Sequence, residues 1–297
     1  MEKRVGIIGA GVVGTAVGII LSQGGWKVTG VYDKHPESTV ALAGKVGAKP
    51  GATPDEVSRS VDILFITTSD SAIKEVVGVI ARKGGFRQGQ VVVHMSGALS
   101  SEVMREARDY GVVLLSIHPL QSFASEERAV QNLPGSVFSI EGDEAGYQVA
   151  EKIVESLGGE YFFIDGKVKP LYHAAACVVS NYLVTLVEFG IRLMEVAGIP
   201  RRSALRALMP LIEGTVNNIA TIGIPAALTG PIARGDVSTV GEHLERLHEM
   251  APELVNLYSL LGYHTADVAR AKGTIDEATR EGLHQLFGNE LSNPTKI

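Results

Sequence analysis

Two histidines and the polar residues near them are the strongest candidates for chemistry in this 297-residue sequence. His118 ends an apolar run and precedes a proline, in Ser116-Ile-His-Pro-Leu-Gln-Ser122. Its imidazole titrates near neutral pH and so suits proton transfer to or from a substrate oxygen. A packed structural histidine ahead of the proline is the plainer alternative. An earlier run ends similarly, in His94-Met-Ser96-Gly97. There Ser96 either orients a substrate or opens a turn, and His94, two positions earlier, fits a core histidine. His173, Cys177 and Asn181 recur at i, i+4 and i+8 in an apolar segment, which puts them on one stripe of a helix. Cys177 fits helix packing, whereas His173 and Asn181 need polar partners, which a substrate or a cofactor ring would supply. Arg234, in a Gly/Pro-rich turn, can grip a carboxylate or pair with Asp236. Gln121 is a second candidate for substrate contact, and His243 faces either the same site or water.

Near the N-terminus stands a second kind of chemistry. Val5-Gly-Ile-Ile-Gly9-Ala10-Gly11-Val12-Val13-Gly14 supplies a β-branched strand and a G-x-G-x-x-G turn, with a helix to follow. In that pattern Gly9 permits the tight turn, Gly11 lets the backbone approach a pyrophosphate, and Gly14 lets helix and strand pack closely. The helix N-terminus holds the diphosphate on its free N–H groups. Asp33 lies 19 residues past Gly14, at the end of the next strand-like run. It suits the adenosine 2′-hydroxyl and tilts the expectation toward NAD over NADP. Lys34 and His35 follow it and would meet a 2′-phosphate if Asp33 turned away. Thr67, Thr68 and Ser69 end another strand and are expected beside the pyrophosphate and ribose, with Asp70 capping a helix that begins at Ser71.

These residues need a scaffold. Strand-like runs at Arg4–Ile8, Lys27–Tyr32, Ile63–Thr67, Gln90–His94 and Val112–Ile117 alternate with helix-length segments at Gly11–Gln23, Pro36–Val46, Ser71–Ala81 and Ser100–Arg108. That alternation predicts a doubly wound parallel sheet. Ser136–Ile140 and Tyr161–Ile164, flanking a helix at Glu144–Leu157, extend it. Beyond Asp165-Gly166 the pattern is helical throughout. One long apolar helix is expected from Val168 to Ala197, then helices at Arg201–Ile222, Val237–Met250, Pro252–Leu261 and Thr274–Leu286. The expected division is a Rossmann domain over 1–165 and an all-helical domain over 166–297.

Composition narrows the function classes. With 45% hydrophobic and 20% charged residues the chain is ordinary for a globular protein. A net charge of −6 argues against a nucleic-acid partner. The single cysteine precludes an intrachain disulfide and fits a reducing cytoplasm. The apolar stretch Val5–Leu21 is interrupted by five glycines and fits a strand–turn–helix unit better than a signal peptide. No other apolar run reaches a membrane span without interruption, so no membrane partner is expected. The eight histidines are scattered, with no metal-binding spacing.

Taken in order, the Gly-rich turn, Ser96-Gly-Ala98, His118-Pro-Leu-Gln-Ser-Phe123, Tyr172-His-Ala-Ala-Ala176, Ser180-Asn-Tyr182 and Leu228-Thr-Gly-Pro-Ile-Ala-Arg-Gly-Asp236 resemble a family of Rossmann-like bacterial proteins. Those proteins carry a C-terminal domain of unknown function and sit in the 6-phosphogluconate dehydrogenase-like superfamily. The resemblance implies a homodimer and an NAD- or NADP-dependent oxidoreductase that moves hydride to or from a small carbonyl or hydroxy-acid substrate between its domains. Some members are described as ketopantoate reductases. Prephenate dehydrogenases have a His-Pro and a serine at the same strand ends, which implies that His118 and Ser96 polarise the reacting oxygen. Ketopantoate reductases present a lysine and asparagines on the helix that opens their second domain. On the corresponding face here the residues expected are His173, Cys177 and Asn181, with no lysine. The alternatives are an imine reductase of the pyrroline-5-carboxylate type and a dinucleotide-binding sensor without turnover.

Overall fold

A computed structural model of the protein describes residues 3–292. Packing divides it into two compact units, 1–181 and 182–297. The division falls later than the expected 165/166 because the first helix after the sheet packs within the first unit.

The first unit runs β1 (Arg4–Ile8), α1 (Val12–Gln23), β2 (Lys27–Tyr32), α2 (Pro36–Val46), β3 (Lys49–Pro50), α3 (Pro54–Ser60), β4 (Ile63–Ile66), α4 (Asp70–Arg82) and β5 (Val91–His94). A ten-residue 3₁₀ helix, Ser101–Tyr110, leads to β6 (Val113–Pro119), α5 (Glu126–Asn132), β7 (Val137–Gly142), α6 (Tyr147–Ser156), β8 (Glu160–Phe163) and α7 (Lys169–Val179). The eight strands lie in the order β3-β2-β1-β4-β5-β6-β7-β8. Neighbours pair in parallel except β6 and β7, which are antiparallel. This is the expected doubly wound Rossmann architecture, with one reversed strand that the alternation of runs did not reveal. The central strands bury both faces: every residue of β4 and β5 is buried, so each reads as an unbroken apolar run rather than an alternation. Val5, Ile7, Phe65 and Val93 pack toward α1 and α2, while Ile8, Leu64, Ile66 and Val92 pack toward α4 and the 3₁₀ helix.

The second unit contains α8 (Asn181–Val196), α9 (Arg201–Ile222), α10 (Val237–Met250), α11 (Val255–Lys272) and α12 (Glu277–Ser292). The expected single helix from 168 to 197 is two helices. Ser180, at φ −110° and ψ −68°, ends α7 before α8 begins. By length and composition alone, the stretch Gly166–Val196 would suffice to cross a membrane. The unit's core is Phe189 with residues of α10 to α12, among them Val240, Leu244, Ala266, Leu283 and Phe287.

Candidate active site

The strand order places the switch point of the sheet between β1 and β4, where the chain has wound first one way and then the other. Ligands of such sheets bind beyond the carboxyl ends of the strands at this point. Gly9 sits there with φ +103°, a conformation that disfavours any side chain. A Cβ on Gly9 would come within 2.6 Å of the Thr67 backbone, and one on Gly14 within 2.0 Å of the Gly9 carbonyl. The turn is therefore closed on itself and on β4, and the Thr67 hydroxyl donates to Gly9 O at 2.7 Å. Gly11 differs, because a Cβ there would meet nothing within 4 Å. It caps α1, whose first N–H groups lack an intrahelical carbonyl. The residues thus fit a diphosphate: a glycine with clear space in front of it and free backbone donors beside it. Val12 and Val13 form the first turn of α1, their side chains packed against the core beneath.

A pocket of about 560 Å³ runs from this turn along the end of β2, lined by Gly9, Gly11, Asp33, Lys34, His35 and Thr67 to Ser69 among others. Asp33 is drawn into the loop: Oδ2 accepts from Ala10 N at 2.7 Å and Oδ1 from His35 N at 2.9 Å. Lys34 is exposed, and His35 faces Glu37 at 3.7 Å. Thr68 and Ser69 follow β4. Ser69, not Asp70, precedes the helix as its cap residue, since Asp70 already belongs to α4. The Asp70 carboxylate instead accepts the Ser96 hydroxyl at 2.7 Å.

Farther along the strand ends, β5, β6 and α7 bring a second group of residues together. Ser96 is buried, and its oxygen accepts from the N–H groups of Ala98 and Leu99, which shapes the turn after β5. It is therefore both the turn-former and, through Asp70, part of a network. His118 leaves β6 half-buried, its Nδ1 2.8 Å from the Tyr172 hydroxyl. His173, the next residue of α7, has its ring centre 6.1 Å from that of His118. Both rings converge on Gly97. A Cβ there would lie 2.6 Å from His173 Nδ1 and 2.7 Å from His118 Nε2. His173 Nδ1 is buried without a hydrogen-bond partner, while its Nε2 is 3.6 Å from Cys177 Sγ. Burial first, then the positive charge of Lys169 and then His173, push the His118 pKa down to about 4, so the ring is neutral at pH 7. His94 is fully buried, accepts from Ser96 N, and has its pKa lowered to about 3, mainly by burial. Burial also raises the Tyr172 phenol above its ordinary value.

The lysine missing from the expected helix face is present one turn earlier. Lys169 is completely buried, and its ammonium donates to Ser96 O at 3.0 Å and Ser116 Oγ at 2.6 Å. Burial lowers its pKa to about 8, against the opposing pull of Glu141 and Asp70. Lys169, His173 and Cys177 form the i, i+4, i+8 stripe of α7. That spacing is visible in the sequence, as is Tyr172, quoted above only as part of a motif. Asn181 falls after the break, exposed at the start of α8. Gln121 is exposed and turned back on its own loop, donating to Asn132 O at 3.4 Å and accepting from Ser122 N at 2.9 Å. Arg234 is exposed at the end of a short 3₁₀ turn in the second unit. The Asp236 carboxylate caps α10 through Thr239 and Ser238 rather than closing an ion pair with Arg234. His243 bonds Tyr258 within that unit at 2.7 Å. Among the described residues no group of three or more His, Cys, Asp or Glu could hold a metal ion.

Sheet order, glycine turn and helix N-terminus together define the class: a Rossmann-like domain with a dinucleotide cradle, followed by a helical unit. Residues 2–119 match the family model of the Rossmann-like domain, and residues 136–265 match a domain of unknown function, DUF2520. The chain thus matches these two domain models in that order. A Thermotoga maritima protein is 28% identical with a TM-score of 0.73, the match covering 90% of this chain and 99% of that one. A candidate NADP oxidoreductase of Bacteroides fragilis is 25% identical with a TM-score of 0.71, covering 90% and 98%. An imine reductase of Streptomyces aurantiacus, at 16% identity and a TM-score of 0.62 over 97% and 94%, shares the fold. The cytokine-like nuclear factor N-PAC of Mus musculus is 27% identical over 211 residues, which are 70% of this chain. The match spans 37% of the length of that relative.

Proposed function

We propose that this protein is a dinucleotide-dependent oxidoreductase that reduces a small carbonyl compound, with His118 and His173 holding the reacting oxygen. The observation that carries this reading is the convergence of two imidazole nitrogens on Gly97, one of them buried without a partner, at the carboxyl ends of a Rossmann sheet. A bound nicotinamide supplies the hydride. His118 Nδ1 lies 2.8 Å from the Tyr172 hydroxyl. In the reaction proposed, the hydroxyl donates to Nδ1 and Nε2 carries the proton offered to the oxygen. A neutral imidazole donor placed where negative charge develops stabilises the transition state. As the C–H bond forms, the Nε2 proton passes to the oxygen and the Tyr172 proton passes to Nδ1. The Nδ1 proton then returns to Tyr172 as Nε2 takes a proton from solvent, which restores the starting tautomer.

The cofactor side of the proposal is NADP(H). Both Asp33 oxygens already accept backbone N–H groups, while the exposed Lys34 lines the same pocket and suits a 2′-phosphate. The 25%-identical Bacteroides fragilis relative is a candidate NADP oxidoreductase. Lys34→Ala is expected to weaken NADPH binding about 5- to 10-fold while leaving NADH within about 2-fold, as losing one charged hydrogen bond would. Equal loss for both forms in fluorescence titrations would reject this assignment.

The test of the reaction is an NADPH-oxidation screen over 2-keto acids, beginning with ketopantoate, then other carbonyls and cyclic imines. His118→Asn is expected to lower kcat about 100- to 1000-fold with dinucleotide affinity preserved. Turnover of imines alone would move the protein to the imine reductases. Tight dinucleotide binding with no turnover of any compound would make it a sensor.

We also propose a homodimer formed through the helical unit, on the exposed apolar faces of α8 and α9.

A further inference from the structure

The reaction proposed above leaves Lys169 without a part, although its burial demands one. An ammonium removed from water is costly unless its hydrogens find acceptors. Those acceptors, Ser96 O and Ser116 Oγ, belong to the turn after β5 and to β6. One side chain therefore joins α7 to two strand ends. Three and four residues on, the same helix carries Tyr172 and His173 on the neighbouring turn. Ser96 itself is held by Asp70 and precedes Gly97, the residue on which both imidazoles close.

We propose that Lys169 is a positioning residue for this site: it fastens α7 to Ser96 and Ser116 so that Tyr172 bonds His118 and His173 faces Gly97. The inference rests on the reaction assigned above, but its geometry can be tested separately. Its charge adds a second effect. The titratable groups around His118 are Lys169, Tyr172 and His173 on α7 and His94 on β5, with Asp70 and Glu141 acting on Lys169. Burial is the main force that keeps His118 and His94 neutral, and the charge of Lys169 adds to it.

The experiment compares the full chain with Lys169→Met, a side chain of similar length without the charge. ¹⁵N spectra of histidine-labelled protein report the tautomer and titration of His118, assigned with His118→Asn, whether or not a substrate is known. Wild type is expected to show His118 protonated on Nε2 alone. In Lys169→Met the two tautomers mix and the titration moves upward. With a substrate in hand, kcat falls about 100-fold, the cost of misplacing a reacting group by an ångström, while NADPH affinity stays within about 2-fold. Lys169→Arg restores the charge and the low titration without restoring kcat. An unchanged tautomer and titration in Lys169→Met would overturn the proposal. If that variant does not fold, Ser116→Ala removes one anchor and keeps the ammonium. It should mix the tautomers and lower kcat about 5-fold, and a wild-type tautomer there would equally overturn it. Failure of wild type to reduce any compound would reject the reaction and leave the spectra to decide the role of Lys169.

Discussion

The two units solve the problem of burial differently. In the first, the central strands carry Ile7, Phe65, Leu64 and Val93 at no exposure at all, covered by helices on both faces. In the second, α9 is 22 residues long, and Ala204 is its one buried residue. Leu205, Met209, Val216 and Ile219 share one face of that helix at spacings of four, seven and three, and all are exposed. Most helical stability in proteins comes from a packed apolar face, so a helix like this needs a cover. Val184 and Leu186 of α8 are exposed as well. The first unit has a sheet core closed on both faces and exposes apolar side chains mainly on α7, at Leu171, Val178 and Val179, whereas the second exposes them along most of a 22-residue helix.

The largest effect expected from this contrast is on assembly. Replacing Met209 and Val216 together with Glu places two charges on the exposed stripe of α9. If a second copy covers that stripe, the dimer dissociation constant rises at least about 100-fold, which light scattering after size exclusion reads as a monomer mass. Wild type that is monomeric at high micromolar concentration would end the explanation.

Next come two glycines three residues apart in the same turn. Gly14→Ala drives a Cβ into Gly9 O and Thr67 Oγ1, at 2.0 and 2.5 Å. It should destabilise the first unit by about 2–3 kcal/mol. Gly11→Ala meets no atom within 4 Å. Its stability should stay within about 1 kcal/mol of wild type, while NADPH affinity falls at least about 10-fold because the methyl group stands where the diphosphate approaches. Trp26, the only tryptophan in the chain, lies in the first unit and reports its unfolding separately. If Gly11→Ala bound NADPH normally, the cradle would be misassigned.

Much of this was legible in the residues, for physical reasons. β1, β2, α2, α9 and α10 have the expected boundaries because each is bracketed by glycine or proline or by a change of hydrophobic period. The reversal of β7 was not legible, because a strand's direction depends on its connections and not on its composition. The break at Ser180 went unread although Val178-Val179-Ser180-Asn181 are weak helix formers, because a few such residues inside a long apolar run are commonly carried by a continuous helix. At the site, His118 and Ser96 stood out as polar residues ending apolar strands. Lys169 was overlooked because a lysine beside a helix start resembles a solvated end. Its burial is a tertiary fact, fixed by two acceptors far away in sequence, Ser96 and Ser116.

The smallest change to be read, a difference in slope between two pH series, also belongs to the first unit and comes from its buried polar groups. His94 is neutral in the fold, with a pKa lowered to about 3, and returns to its ordinary value on unfolding. The unfolded chain therefore takes up the proton first as pH falls. The stability associated with neutral His94 is complete above pH 6.5 and is lost progressively as pH falls toward 3. Between pH 7 and 4.5 that loss is about 2–3 kcal/mol for a group buried this deeply. His118 adds a loss of the same sign over the range from 6.5 toward 4. His94→Gln removes the titrating group. Urea unfolding followed by Trp26 should then show a shallower fall of the midpoint between pH 7 and 4.5 than in wild type. Parallel falls in the two proteins would mean that the acid sensitivity of this unit arises from its surface carboxylates, such as Asp62, which Arg4 and Arg87 hold well below the usual range, rather than from the histidine in its core.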